Sequence, residues 1–154
     1  MRNTGLELEG AGRIGPVQVT ANYAYTSSKV RELAPGYLGE LLPGDYVLEI
    51  PNHTAGATVA FTLFERTSIT SGLTYVGKRT SYDYVALLSG VAARDAWITY
   101  DPFLKVNLTV TQALTPKVSA LLTVENLTNN NTGEQFDYVP SLGRITTVGL
   151  RARW

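Results

Sequence analysis

The chain has 154 residues, enough for one domain with a substantial core. Its 13 basic and 13 acidic residues balance, so charge gives no case for binding nucleic acid. It contains no cysteine, which excludes a disulfide framework and thiol chemistry. Charged residues are only 17% of the total, against roughly 25% in soluble domains. Low charge and nine tyrosines favour strands with an apolar outer face and a weakly charged inner face.

Alternation of apolar and polar residues predicts seven strands, each with two different faces. In the last strand Val148 and Leu150 alternate with Gly149 and Arg151. This strand ends on an aromatic residue, Trp154, as suits the interface of a membrane barrel. The predicted strands are Thr4–Ala11, Val17–Thr26, Thr54–Phe64, Ser68–Arg79, Ala96–Leu114, Val118–Asn126 and Gly143–Trp154.

The connections between these strands alternate strictly between short and long. Long connections without secondary structure are uncommon in compact domains, whereas this alternation is typical of up-and-down membrane barrels. The short ones are Gly12–Pro16, Glu65–Thr67 and Thr115–Lys117, and the long ones are Ser27–His53, Ser81–Asp95 and Leu127–Leu142.

Periodicity alone also fits a soluble β-barrel or sandwich that binds an apolar ligand. In such a fold the apolar faces point inward and pack on one another. This alternative predicts mutual burial of Val106, Leu108, Val110, Val118 and Leu122. A further alternative is a smaller outer-membrane barrel that acts as a pore or has a structural role.

The number of strands bears on how much of a barrel the chain contains. Bacterial single-chain barrels have an even number of strands, with both ends on the periplasmic side. Seven strands ending at a periplasmic Trp154 would leave Met1 outside, and no secretion signal follows Met1. The sequence therefore predicts an all-β fold. We expect an antiparallel up-and-down transmembrane barrel segment of about seven strands, open because it is incomplete.

Five short motifs occur in order along the chain. They are Asn3-Thr-Gly-Leu-Glu-Leu-Glu9, Asn22-Tyr-Ala-Tyr25, Ile50-Pro-Asn-His53, Val124-Glu-Asn-Leu127, and Gly143-Arg144 leading into Gly149-Leu150. Together they resemble the C-terminal part of TonB-dependent outer-membrane receptors. The resemblance covers essentially the whole chain, so we expect residues 1–154 to be the C-terminal portion of such a receptor barrel, with no plug domain and no signal peptide.

The resemblance implies a function and a set of partners. Such receptors have a barrel of about 22 strands closed by an N-terminal plug domain. They import a scarce ligand, typically a ferric siderophore or cobalamin, across the bacterial outer membrane. The implied partners are outer-membrane lipid, the remainder of the barrel and its plug, TonB through the N-terminal part, and a small-molecule ligand such as a metal–siderophore complex. No cofactor and no enzymatic activity are implied.

The residues give no case for catalysis or for a metal centre. His53 is the one histidine, and no ligand or catalytic partner lies at a suitable spacing from it. Ligand contact is expected from Tyr37 and Tyr46, which lie on the long connection Ser27–His53, because binding residues concentrate on such loops. Arg151 and Arg153 on the polar face of the last strand are further candidates.

Two predictions concern side chains on the strands themselves. Glu125 and Arg151 lie on adjacent strands, so we expect a cross-strand ion pair between them. Amphipathic rings favour the two membrane–water interfaces. The aromatic residues expected there are Tyr23, Tyr25, Tyr75, Tyr100 and Trp154.

Overall fold

The computed structural model describes residues 1–132, 134 and 141–154. Gly133 and residues 135–140, within the predicted connection Leu127–Leu142, lie outside the described residues. The elements are β1 (Arg2–Ile14), β2 (Val17–Lys29), β3 (His53–Leu63), β4 (Thr67–Val76), β5 (Arg79–Tyr82), α1 (Tyr84–Leu88), β6 (Trp97–Tyr100), β7 (Phe103–Ala113), β8 (Val118–Glu125) and β9 (Ile145–Ala152).

Seven of these strands form one antiparallel sheet in the order β1-β2-β3-β4-β7-β8-β9. Neighbours in the sheet follow one another along the chain, apart from the β5–β6 hairpin between β4 and β7. The two ends of the sheet, β1 and β9, do not pair with each other, so the sheet is open. The prediction of an open, all-β, antiparallel sheet of seven strands is therefore confirmed.

The register keeps like residues on the same side of the sheet. One cross-strand row is Leu8–Tyr23–Ala55–Tyr75–Leu104, and the next is Glu9–Asn22–Gly56–Thr74–Lys105. We call the sides carrying these rows the apolar face and the polar face. A slip of one residue would exchange the two faces, so the alternating sequence specifies this register.

The described residues form a single layer with little interior. Val30, Ala96, Tyr100 and Val124 are the buried hydrophobic residues. On the apolar face Leu122 is 38% exposed and Leu150 is 76% exposed. The soluble alternative, which required these faces to be buried against one another, is therefore wrong.

Val124 is the exception on that face. It is only 8% exposed, although it belongs to the same alternating series as Leu122. Val124 lies in the row between Leu108 of β7 and Thr146 of β9.

The predicted fifth strand, Ala96–Leu114, is wrong as a single element. It is interrupted after Tyr100, and the next strand of the sheet begins at Phe103. Pro102 falls in the gap, and proline has no N–H to donate to a sheet. The first part becomes β6, which pairs with β5 in a separate hairpin, with Arg79 opposite Tyr100.

Strand length fits a crossing of a bilayer. The sheet strands contain 8 to 13 residues, and a tilted membrane strand needs about 9–11. Among the described residues, no helix is long and apolar enough to span a membrane. The single described helix, α1, has 5 residues and is capped by the Asp83 side chain.

Candidate functional site

All three long connections leave the sheet at the same end. They are loop 1 (30–52), loop 2 (77–102) and loop 3 (126–144), the last described only in part. The short connections 15–16, 64–66 and 114–117 lie at the opposite end. We call these the loop end and the turn end. Because loops at one end of a membrane barrel meet above its lumen, the loop end is the candidate functional site.

Loops 1 and 2 are joined by a bidentate ion pair. Arg94 Nη1 lies 2.6 Å from Asp45 Oδ2, and Arg94 Nη2 lies 3.1 Å from Asp45 Oδ1. Arg94 also donates to the Glu40 carbonyl oxygen at 2.9 Å, and its guanidinium lies 4.7 Å from the centre of the Trp97 ring. Paired parallel hydrogen bonds to a carboxylate fix direction as well as distance. We call this contact the Arg94–Asp45 clasp.

The clasp changes the acidity of both partners. The hydrogen bonds from Arg94, followed by that from the Leu42 N–H, lower the pKa of Asp45 from 3.8 to about 2. The same hydrogen bond to Asp45 raises the pKa of Arg94 above its ordinary value. Both groups are therefore charged in any ordinary medium.

Glu49 forms a second junction between loops 1 and 2. Its N–H donates to the Thr80 carbonyl oxygen at 2.8 Å, and Ser81 Oγ donates to its carboxylate. Arg79 Nε lies 3.9 Å from Glu49 Oε2. The guanidinium of Arg79 also lies 4.9 Å from the centre of the Tyr100 ring. The hairpin β5–β6 is thus fastened to loop 1 by one carboxylate.

Glu134 extends this network to loop 3. Arg79 Nη2 donates to the Glu134 carbonyl oxygen at 2.7 Å, and Lys105 of β7 forms an ion pair with the Glu134 carboxylate. Each of the three loops is therefore connected to at least one other by a charged side chain.

Asn126 organises the start of loop 3. It is 4% exposed and has a φ of 51°, a left-handed conformation that ends β8. Its amide donates to the carbonyl oxygens of Asn130 and Leu142 at 2.8 and 3.1 Å. Its Oδ1 accepts from the Asn130 N–H at 3.0 Å. Asn126 thus holds both ends of loop 3 together.

Two clefts lie near these contacts. One of about 290 Å³ is lined by Lys105, Asn107, Glu125, Asn126 and Ser141 on the polar face below loop 3. A smaller one of about 140 Å³ lies between loops 1 and 2, beside Tyr46 and Arg79. Mixed donors, acceptors and rings suit reversible binding of a polar ligand. Within the described ranges, no group of three or more possible metal-ligating side chains occurs.

The four predicted ligand-contact residues do not form one site. Tyr37 and Tyr46 lie exposed on loop 1. Arg151 pairs with Ser119, and the Arg153 N–H donates to the Lys117 carbonyl oxygen at the turn end. The two arginines are thus separated from loop 1 by the length of the sheet.

The predicted ion pair between Glu125 and Arg151 is wrong. Glu125 lies opposite Ile145 and Arg151 lies opposite Ser119. The two charges are six residues apart along the strand direction, or about 20 Å at 3.3 Å per residue. Adjacent strands place only residues in register within reach, and sequence alone does not give the register.

The predicted interface aromatics divide into two groups. Tyr23, Tyr25 and Tyr75 lie on the apolar face near the loop end, and Trp154 is fully exposed at the turn end. The prediction that Tyr100 lies at a membrane–water interface is wrong. It is 6% exposed and belongs to the β5–β6 hairpin, because the interruption at Pro102 removes it from the sheet.

The charged contacts between the loops were missed from the sequence. Asp45 and Arg94 are separated by 49 residues, in segments without periodicity, so no local pattern pairs them. The role of Asn126 at the start of loop 3 was also missed. Its residue type was a signal for it, because asparagine tolerates the left-handed conformation needed where a strand turns into a loop.

Comparisons with known proteins identify the class. The family model described as TonB dependent receptor-like, beta-barrel, matches residues 1–127. The chain therefore belongs to the TonB-dependent receptor β-barrel family, whose members are outer-membrane transport receptors and not enzymes. Among curated protein sequences, none is significantly similar to the chain.

Solved structures agree with the family and show the fold. The chain is similar to the siderophore receptor PiuA from Acinetobacter baumannii, with a TM-score of 0.74 and 15% identity over 97% of this chain and 21% of that one. It is also similar to the pyoverdine outer membrane receptor FpvA from Pseudomonas aeruginosa, with a TM-score of 0.70 and 19% identity over 99% and 21%. The chain therefore spans about a fifth of the length of these receptors.

Proposed function

We propose that this chain is the C-terminal portion of a TonB-dependent receptor that imports a scarce ligand, such as a ferric siderophore or cobalamin. The family match and the share of each solved relative that is covered support a part rather than a whole barrel. The similar structures include receptors described as siderophore or ferric enterobactin receptors, which favours an iron-carrying ligand. The plug and the TonB-contacting segment would belong to the rest of that receptor.

The connected loop end supports a binding role for this part of the receptor. Three long loops converge there and are joined through Asp45, Arg94, Glu49, Arg79 and Glu134. Loops held in one arrangement present binding groups with less ordering cost than independent ones. Tyr37 and Tyr46, exposed on loop 1, are the proposed ligand contacts.

Uptake of radiolabelled iron tests this function. The receptor containing this chain is expressed in a bacterial strain that lacks its own siderophore receptors, and purified ferric siderophores are supplied one at a time. We expect uptake of at least one of them, abolished when TonB is deleted. Uptake that is unaffected by the loss of TonB, or ion conductance without any ligand, would instead favour a smaller pore-forming barrel.

Variants separate the two groups of candidate contacts. Substituting Tyr37→Ala together with Tyr46→Ala should raise the ligand concentration needed for half-maximal uptake by about tenfold, as expected when two aromatic contacts are lost. Arg66→Ala at the turn end, also exposed, is the matched control and should leave uptake unchanged. Arg151→Ala tests whether the polar face at the turn end contributes.

A further inference from the structure

Toward the loop end, the apolar face carries first tyrosines and then basic residues. Register places Tyr23 and Tyr75 in one row, with Ala55 between them, and Tyr25 and His53 in the next. Four residues beyond Tyr25, Lys29 lies opposite Arg2 on one side and opposite Tyr46 on the other. A ring of tyrosines is thus followed, on the same face, by cationic residues. We call Arg2 and Lys29 the basic row; His53 lies four residues away from it, in the row of Tyr25.

Arg2 and Lys29 form a pair that a sheet ordinarily avoids. They are direct cross-strand partners, and like charges in that position destabilise the pairing. Both residues are exposed, and in the part of the chain that the structure describes neither takes part in an ion pair. Lys29 Nζ lies 4.5 Å from the centre of the Tyr46 ring. An anion bound between the two cations would remove the repulsion.

His53 is oriented so that it can donate a third hydrogen bond to the same anion. The Tyr23 hydroxyl lies 2.8 Å from His53 Nδ1, and the Tyr25 ring centre lies 5.2 Å from the imidazole centre. When the Tyr23 hydroxyl donates to Nδ1, the proton of the neutral ring is on Nε2. The exposed His53 then offers Nε2–H as a donor from the apolar face.

The position of the basic row along the membrane normal indicates that the bound anion belongs to a lipid. Tyrosines of a membrane barrel lie at the level of the headgroups. Lys29 is four residues beyond Tyr25, which is about 13 Å along the strand and about 9 Å along the membrane normal at a 45° tilt. Lysine and arginine side chains of this length reach back to the headgroup zone.

We propose that Arg2, Lys29 and His53 bind the phosphate of a lipid headgroup in the outer leaflet of the membrane. The cations neutralise the phosphate, and the acyl chains lie along the apolar face beside Tyr23 and Ala55. This inference rests on the outer-membrane location of the family and not on the proposed import of a ligand. A failure of the uptake experiment would therefore leave it intact, and the reverse also holds.

Native mass spectrometry of the receptor tests this site. The receptor is extracted from its native outer membrane, with this chain in its natural polypeptide, and is titrated with lipid A, a glycolipid that carries phosphate monoesters. A basic residue near a membrane surface is worth about a fivefold change in affinity, so Arg2→Gln with Lys29→Gln should weaken binding by about 25-fold. His53→Gln should weaken it by a few fold. Arg13→Gln, on the same strand but on the polar face at the turn end, is the matched control and should have no effect.

Two further titrations identify the source of the phosphate. Dephosphorylated lipid A should bind the wild-type receptor about as weakly as lipid A binds the double variant. Inorganic phosphate at the same concentration should displace little lipid A. Equal affinity for lipid A with and without phosphate, strong displacement by free phosphate, or unchanged affinity in the double variant would each overturn the proposal.

Discussion

The Arg94–Asp45 clasp is the residue-scale contact that decides how loops 1 and 2 are arranged. Its two parallel hydrogen bonds join loop 1 to loop 2, in addition to the second junction at Glu49. Because both partners are charged and partly exposed, the clasp acts by fixing geometry more than by adding stability.

Replacing one partner should release loop 1. In Arg94→Lys a single ammonium group takes the place of the planar fork, so one of the two parallel hydrogen bonds is lost. We expect limited proteolysis within residues 30–52 to become severalfold faster, while the sheet signal in circular dichroism is unchanged. Arg31→Lys, on the same loop in a long ion pair of 4.0 Å with Glu32, is the control and should behave as wild type.

The clasp should also open in acid. The pKa of Asp45 is about 2 in the folded chain and 3.8 when unpaired, so its contribution is complete above about pH 3.8 and is lost as the pH falls toward 2. Pepsin, which is active in this range, should cleave loop 1 faster as the pH is lowered. In Asp45→Asn this pH dependence should disappear, and its persistence in that variant would assign it to another group.

Asn126 stabilises loop 3 by bonding to both of its ends. Asn126→Ala removes the partners of two carbonyl oxygens and one N–H, and leaving buried polar groups unsatisfied costs about 1–3 kcal/mol. We expect a lower unfolding temperature of the receptor in detergent and more mobile loop 3 signals in NMR spectra. The exposed neighbour Asn131→Ala is the control. An equal effect of both variants would argue against a specific role for Asn126.

At the scale of elements, the turn between β3 and β4 contains local strain. Phe64 and Glu65 have φ values of 50° and 56°, and the Arg66 N–H donates to the Leu63 carbonyl oxygen at 3.2 Å. This is the mirror-image turn that favours Asn-Gly, because left-handed residues with a β-carbon cost about 1–2 kcal/mol each. Phe64→Asn with Glu65→Gly should therefore raise the unfolding temperature. Substitution of Thr115→Asn with Pro116→Gly, in a turn without positive φ values, should not.

The strands could be predicted because their signal is local. The alternation of apolar and polar residues correctly assigned the two faces of β1, β2, β3 and β8. The lengths of the connections indicated a membrane barrel. The β5–β6 hairpin was missed because Ile98 and Tyr100 continue the parity of β7, so the break at Pro102 was the only warning. Register between strands and contacts between loops depend on residues far apart in the chain. The Glu125–Arg151 error and the unforeseen clasp both follow from this.

At the scale of the whole molecule, the open sheet has two unpaired edges. The outer edges of β1 and β9 carry backbone groups that pair with nothing among the described residues. In lipid each unpaired backbone group costs several kcal/mol, so open edges are not tolerated there.

We therefore predict that the 154-residue polypeptide alone neither inserts stably in bilayers nor transports a ligand. The measurement is refolding into phospholipid vesicles, followed by protease treatment and electrophoresis with and without heating. We expect complete digestion and no difference in mobility on heating. A heat-modifiable, protease-resistant monomer would show that the edges are satisfied in another way.

We propose that these seven strands complete a larger receptor barrel, and sequencing the DNA immediately upstream of the Met1 codon would test this. We expect an in-frame continuation of several hundred codons that encodes the earlier strands, a plug domain and a signal peptide. A stop codon and a ribosome-binding site directly before the Met1 codon would contradict it.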